Sequence, residues 1–232
     1  MKSIFLGVLP LLALVFMACS KDEKVDIKDY GVKTFSGDLG YDVEIANNAT
    51  HGDGSIAYTQ QVYFAFGNDN AVASYKVSDA TNWTNFNLVE GKYNVSPKPT
   101  LDDWNLIMTY YIDPIQMGEI IYEYGVTGVL INQEKVAGVA KVEYTGDSTA
   151  AYFANNIITS SFDTVTYTND VSVIGRAWKS ADMTTSMYTV KDNWFYAVKL
   201  KDGSVYKMRF TGFHGATAND RIVQFEYALM EE

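Results

Sequence analysis

The sequence predicts an all-β fold of antiparallel, curved sheets with at most one or two short helices, and three observations carry that prediction. Aromatic residues make up 14% of the 232-residue chain, mostly 17 Tyr and 12 Phe, types that pack well on a pleated, half-buried surface. Four segments alternate apolar and polar residues with a period of two, the signature of strands with one face buried. Turn-forming residues separate these runs, and only Ser148 to Ile157, "STAAYFANNI", has the composition of a short helix. Whether the sheets form a sandwich, a barrel or one curved sheet is left open by the pattern.

The chain begins with Lys2 and an apolar run, Ile4 to Met17, that ends on Ala18 and the only cysteine, Cys19. A positive start, an apolar stretch of this length and a small residue at its end describe a removable secretory signal. Val15 to Cys19 resembles a bacterial lipobox, in which the cysteine is acylated and becomes the first mature residue; the alternative is a buried thiol. Residues 1–18 are therefore expected to be cleaved, leaving 214 residues, 232 less 18. Acyl chains on Cys19 would hold the protein to a membrane by transfer of their methylenes. No second cysteine remains for a disulfide, so the exported domain stands on its core alone. Ser20-Lys21-Asp22-Glu23 is similar to the lysine-plus-acid signal that carries lipoproteins of Bacteroidetes to the outer face of the outer membrane. The residues from Cys19 to 38 are polar and charged and read as a solvated tether, with one domain over 39–232.

Within that domain, "SIAYTQQVYFAF" (Ser55 to Phe66) reads as a first strand. "WNLIMTYYI" then places Trp104, Leu106, Met108, Tyr110 and Ile112 on one face. "NWFYAVKL" puts Trp194, Tyr196, Val198 and Leu200 together. Lys201-Asp202-Gly203 supplies a turn with glycine where a positive φ is needed, and "SVYKMRF" returns with Tyr206, Met208 and Phe210 on one side. "IVQFEYAL" closes the set with Val223, Phe225, Tyr227 and Leu229.

Net charge is −10 and no basic stripe is present, which argues against a nucleic-acid partner, since phosphate contact needs a basic face. No enzyme motif is found: there is no nucleophile elbow, phosphate-binding loop, dinucleotide fingerprint or HExxH. The two histidines, His51 and His214, read as solvated loop residues. Methionine is the more informative type. Met108 and Met208 lie on apolar strand faces and Met230 ends the last strand, but Met117, after Pro114, and the pair Met183 and Met187 in "KSADMTTSMY" fall outside the alternation. A thioether in a loop beside aromatic rings is a soft ligand suited to haem iron or Cu(I); gap-filling or lid residues are the plainer alternative.

Several stretches in this order, "DDWNLIMTYY" (102–111), "YGVTGVLIN" (124–132), "VIGRAWKS" (173–180), "NWFYAVKLKDGSVYKMRFTGF" (193–213) and "VQFEYALM" (223–230), resemble the HmuY-type lipoproteins of Bacteroidetes over roughly residues 55–230. That resemblance implies a hand-like all-β fold and a surface haem-binding protein, a haemophore, that delivers haem or a related porphyrin to a TonB-dependent outer-membrane receptor. It implies two axial side chains on the iron, one from the loop that here is "KSADMTTSMY". Met183 and Met187 are the candidates there. The other family ligand comes from between 132 and 173, which here has neither histidine nor methionine: either Met117 or, more weakly, Tyr152 substitutes, or the iron is held from one side, or this chain has another ligand. No other metal or cofactor is expected. The competing readings are a cofactor-free surface lipoprotein that binds a glycan or protein partner, and a metal- or siderophore-scavenging role.

Overall fold

The computed structural model describes residues 31–40, 60–67, 71–76, 86–87, 92–93, 103–146, 152–154, 159–182, 184–185, 187–214 and 220–231. They form two principal sheets packed face to face. The first has the order β1 (Lys33–Asp38), β13 (Ile222–Glu231), β12 (Val205–Gly212), β11 (Trp194–Leu200), β8 (Val136–Glu143), all antiparallel. The second joins β3 (Ala71–Lys76), β2 (Gln60–Phe64), β6 (Leu106–Met117) and β7 (Ile120–Ile131) by antiparallel pairing, and adds β4 (Phe86–Asn87) and β5 (Lys92–Tyr93) through one parallel contact of Asn87 with Ile112. A short hairpin of β9 (Lys179–Ala181) and β10 (Tyr188–Val190) stands apart. Of the arrangements the pattern left open, the chain adopts the sandwich, with no closed barrel.

Period-two alternation decides which side chains meet between the sheets. Tyr196, Val198 and Leu200 of β11, Met208 and Phe210 of β12, and Val223, Phe225 and Tyr227 of β13 face Val62 and Phe64 of β2 and Leu106, Met108 and Tyr110 of β6. The intervening residues point outward, and each outer face has its own smaller cluster. Behind the first sheet, Phe195 and Ala197 pack with Phe153 of a helical turn at residues 152–154 and with Phe162 of the 3-10 turn Thr159–Phe162. Behind the second sheet, Tyr63, Ile107, Tyr111 and Leu130 form a third cluster with Trp104.

Three expectations need correction. The folded part begins by residue 33, within the stretch read as tether: Lys33–Asp38 is an edge strand, with Phe35 ringed by Phe64 and Phe225 at 4.8 and 4.9 Å. Trp104 does not share a face with Leu106; the strand starts after it, and its ring meets Tyr63 edge-on at 5.2 Å on the outer face. The segment after Pro114, read as lying outside the alternation, is part of β6. It runs on to Met117 and turns through Gly118 (φ 66°) and Glu119 into β7, with Pro114 opposite Glu123. On its other side, past Ile112, β6 has no partner strand among the described residues, so the missing proline N–H costs no ladder bond. The Lys201-Asp202-Gly203 turn forms as expected, with Gly203 at φ 104° and Leu200 N–H donating to Ser204 O.

One irregular segment, residues 168–178, closes a side of the sandwich. Thr168 exchanges two backbone hydrogen bonds with Val139 on the outer edge of β8, and Gly175 exchanges two with Val129 on the outer edge of β7, where Ile131 N–H also donates to Val171 O. The close approach at β7 needs glycine on both sides. A Cβ on Gly128 would lie 2.7 Å from the carbonyl carbon of Gly175, and Gly175 itself has φ 53°, a left-handed conformation that side chains resist. Trp178 then anchors the segment, stacked on Phe210 at 4.0 Å and donating from Nε1 to Gly175 O.

Candidate ligand-binding site

The edge segment, β6 and the β9–β10 hairpin enclose an open cleft of about 470 Å³, within the range of small-molecule sites. Its lining comes from Tyr111 and Asp113 of β6, residues 172–177, Lys179 to Ala181, and Lys191. Although the chain carries a net charge of −10, this lining contains three cations and one carboxylate. Arg176 donates from Nε to Asp113 Oδ2 at 2.5 Å in a pair that is partly open to solvent.

Lys179 is the unusual member. Only 8% exposed, it donates to the backbone carbonyl of Thr127 at 2.5 Å. Its ammonium lies over the rings of Phe213, Trp178 and Tyr188 at 4.6, 4.7 and 5.4 Å. No carboxylate among the described residues stands within ion-pair distance of it. Burial, followed by the nearby charges of Arg176 and Arg221, pulls its pKa from 10.5 down to about 7. Arg221 sits over the same Tyr188 and Phe213 rings from 5.3 and 5.5 Å. His214 accepts the Tyr188 N–H at Nε2, 3.0 Å away, and its Nδ1 lies 3.5 Å from Arg221. It is thus a half-buried acceptor holding β10, not the solvated loop histidine expected. Tyr111, beside the Asp113–Arg176 pair, has its hydroxyl pushed above its ordinary pKa by burial and by the Asp113 charge.

Beyond the cleft, β6 and β7 project as a finger whose end is apolar and open to solvent: Met117 is 57% exposed, Ile120 56%, Ile121 63% and Tyr122 41%. The register sorts these residues by face. Tyr111 pairs with Val126, Asp113 with Tyr124, Ile115 with Tyr122 and Met117 with Ile120, and directly opposed residues project to the same side. Met117, Ile120 and Tyr122 therefore share the face that carries Tyr111 and Asp113 at the cleft, and Ile121 takes the other. Four residues at about 3.3 Å each separate Asp113 from Met117, on the order of 13 Å.

The candidates named from sequence are distributed unevenly. Met187, 39% exposed, stands at the cleft's rim: its carbonyl accepts the N–H of Asp182, the residue after cleft-lining Ala181. The Asp182 carboxylate accepts the Thr184 and Thr185 N–H groups at 2.8 and 3.3 Å, which shapes this loop and holds its pKa below the usual carboxylate range. Met117 lies farther out on the shared face of the finger. Tyr152 is not brought near the cleft; it stacks on Tyr144 at 3.7 Å in the cluster behind the first sheet, on the opposite side of the sandwich. Met183 and Cys19 lie outside the described residues. The cleft cations Arg176, Lys179 and Lys191 were not singled out from sequence. The one available signal was a lysine directly after tryptophan in "VIGRAWKS", where an apolar stretch takes a charge. Among the described residues no group of three His, Cys, Asp or Glu side chains could hold a metal ion, and no helix is long and apolar enough to cross a membrane.

Comparison with known proteins adds a family. The family model described as HmuY protein matches residues 57–227. No curated protein matches the chain. Similar solved structures include a protein of Bacteroides vulgatus ATCC 8482 assigned as HmuY-like and haem-binding, 15% identical with a TM-score of 0.46, the match covering 87% of this chain and 93% of that one. A protein of Bacteroides fragilis NCTC 9343 assigned as a lipoprotein is 14% identical with a TM-score of 0.46, over 90% and 94% of the two chains. The apo HmuY analogue of Tannerella forsythia is 11% identical with a TM-score of 0.38, over 87% and 97%.

Proposed function

This chain belongs to the HmuY family, and on that premise we propose that it binds haem or a related porphyrin, without catalysing a reaction, on the face shared by the cleft and the finger. The family match carries the reading, and the residues present suit the ligand. An apolar macrocycle gains most of its affinity by burying its faces against apolar and aromatic side chains, and Met117, Ile120 and Tyr122 offer such a surface where solvent now touches it. Haem when bound would supply an iron that accepts thioether ligands. Met187 at the rim, Met117 on the finger and Met183 in the same loop as Met187 are the side chains proposed for that role. Exposure of the finger would leave a bound porphyrin accessible to a receptor. With Cys19 acylated, the protein would act from the outer membrane, acquiring haem and passing it to a TonB-dependent outer-membrane partner.

Titrating the protein with haemin under oxidising and reducing conditions, and following the Soret band, tests the binding. A saturable shift is expected, and its absence in both states sinks the haem reading in favour of a cofactor-free surface protein. Met183→Ala and Met187→Ala are expected to alter the reduced spectrum, while Met208→Ala, buried between the sheets, is expected to leave it alone at matched folding. Equal effects from all three would show that the loop does not supply the ligand. For the anchor, Cys19→Ala is expected to move the protein from the membrane fraction to the soluble one.

A further inference from the structure

A buried cation without a carboxylate partner is costly, because the ammonium gives up its hydration and recovers only neutral acceptors. Among the described residues Lys179 is in that position, with Thr127 O and aromatic faces in place of an anion, yet an ammonium offers three donors. Arg176 commits its Nε–H to Asp113, whereas a guanidinium carries five N–H groups. Lys191 lies over the Trp194 ring at 3.9 Å. All three line one open cleft, in a protein whose overall charge would otherwise repel anions. Local lining and net charge thus have opposite sign, which favours a ligand whose charge is concentrated at one end.

We propose that this cleft is a carboxylate seat, in which Lys179 and Arg176, with Lys191 at the wall, hold the acid arm of a ligand whose apolar body lies along the finger. The assignment rests on the porphyrin reading, and the acid arm is then a propionate of the ring. The seat and the apolar shelf lie on one face and are joined by β6, with Asp113 at one end and Met117 at the other. The cationic cleft would fix which edge of the ring points inward, and the finger would contribute apolar contact without orientation. The ammonium–carboxylate contact is charge-assisted, and such hydrogen bonds are roughly twice as strong as neutral ones.

Haemin and its dimethyl ester share the macrocycle and the iron and differ only in the two acid arms, so binding of both to the protein isolates the seat. The acid is expected to bind on the order of tenfold tighter than the ester, the scale of one charge-assisted hydrogen bond. Lys179→Met should remove most of that preference while leaving ester affinity in place. Lys191→Gln, which disturbs no buried group, should reduce it in the same direction. Lys201→Gln, a cation outside the cleft, should leave the ratio unchanged. Equal binding of acid and ester by the wild-type protein, a preference that survives both cleft substitutions, or an equal loss in Lys201→Gln each overturns the seat while the porphyrin reading stands. Binding of neither compound overturns both.

Discussion

Raising the pH should stabilise this protein through Lys179, by an amount that its surroundings fix. The group titrates at 10.5 in an unfolded chain and at about 7 in the fold. Below pH 7 both states carry the proton and the lysine adds no pH dependence. Between about 7 and 10.5 the unfolded chain holds one more proton than the native one, so stability rises with pH by about 1.4 kcal/mol per unit. The Thr127 carbonyl on β7 and the Trp178, Tyr188 and Phe213 rings face Lys179, the charges of Arg176 and Arg221 act on it, and Asp113 and His214 stand beside those two arginines. Because several of these can titrate, the informative quantity is the difference in unfolding free energy between the wild type and Lys179→Met. Urea unfolding followed by tryptophan fluorescence at pH 6, 7, 8 and 9 should show a constant difference in favour of methionine up to pH 7. The wild type should then gain about 2–3 kcal/mol on the variant by pH 9. A difference that stays flat across pH 7 to 9, or moves the other way, would refute the claim that Lys179 is a desolvated cation with no carboxylate partner among the described residues.

Further outcomes follow from the packing. Phe35→Ala should lower the unfolding free energy by about 3–5 kcal/mol, as expected for an aromatic ring removed from a core; a loss below 1 kcal/mol would show that β1 is dispensable and the tether longer than described. Gly175→Ala places a methyl group 2.7 Å from Ser172 O at a left-handed φ, which should cost about 1–3 kcal/mol in the same assay. Gly118→Ala, with nothing within 4 Å of the new Cβ, should cost only the conformational part, about 1–2 kcal/mol. Tyr196→Phe should be neutral or slightly stabilising, because the Tyr196 hydroxyl is buried and finds no hydrogen-bond partner among the described residues; a loss above about 1 kcal/mol would reveal a partner for it.

The large strands were legible because each has one face on the inter-sheet core. Tyr196, Val198 and Leu200, or Val223, Phe225 and Tyr227, must alternate with residues that face the other way. β1 was hidden by the same rule at its weakest, since an edge strand of six residues among polar neighbours buries little besides Phe35. Pro114 masked the length of β6, because a proline ends most strands and is tolerated only where the ladder has an open side. The cleft's surroundings were legible only in part. Met187 and Met117 stood out by their placement outside the alternation, and both lie on elements that build the cleft. Arg176, Lys179 and Lys191 did not stand out, because single cations in short segments read as solvated; only the folded chain shows that a distant strand and three rings cover Lys179. Tyr152 lies away from the cleft, because position along the chain says nothing about which side of the sandwich a residue occupies.

The segment at 168–178 has a consequence for how the molecule behaves in a crowd. By bonding Thr168 to Val139 of β8, and Gly175 and Val171 to Val129 and Ile131 of β7, it occupies some of the outward backbone groups of two strands that would otherwise invite a neighbour to add on. Residues 172–177 of the same strip form a wall of the cleft. A substitution that loosens this strip would therefore do two things at once: it would blunt ligand capture and uncover template edges for strand-to-strand aggregation. Ligand occupancy that pins the strip down would in turn act as protection against self-association.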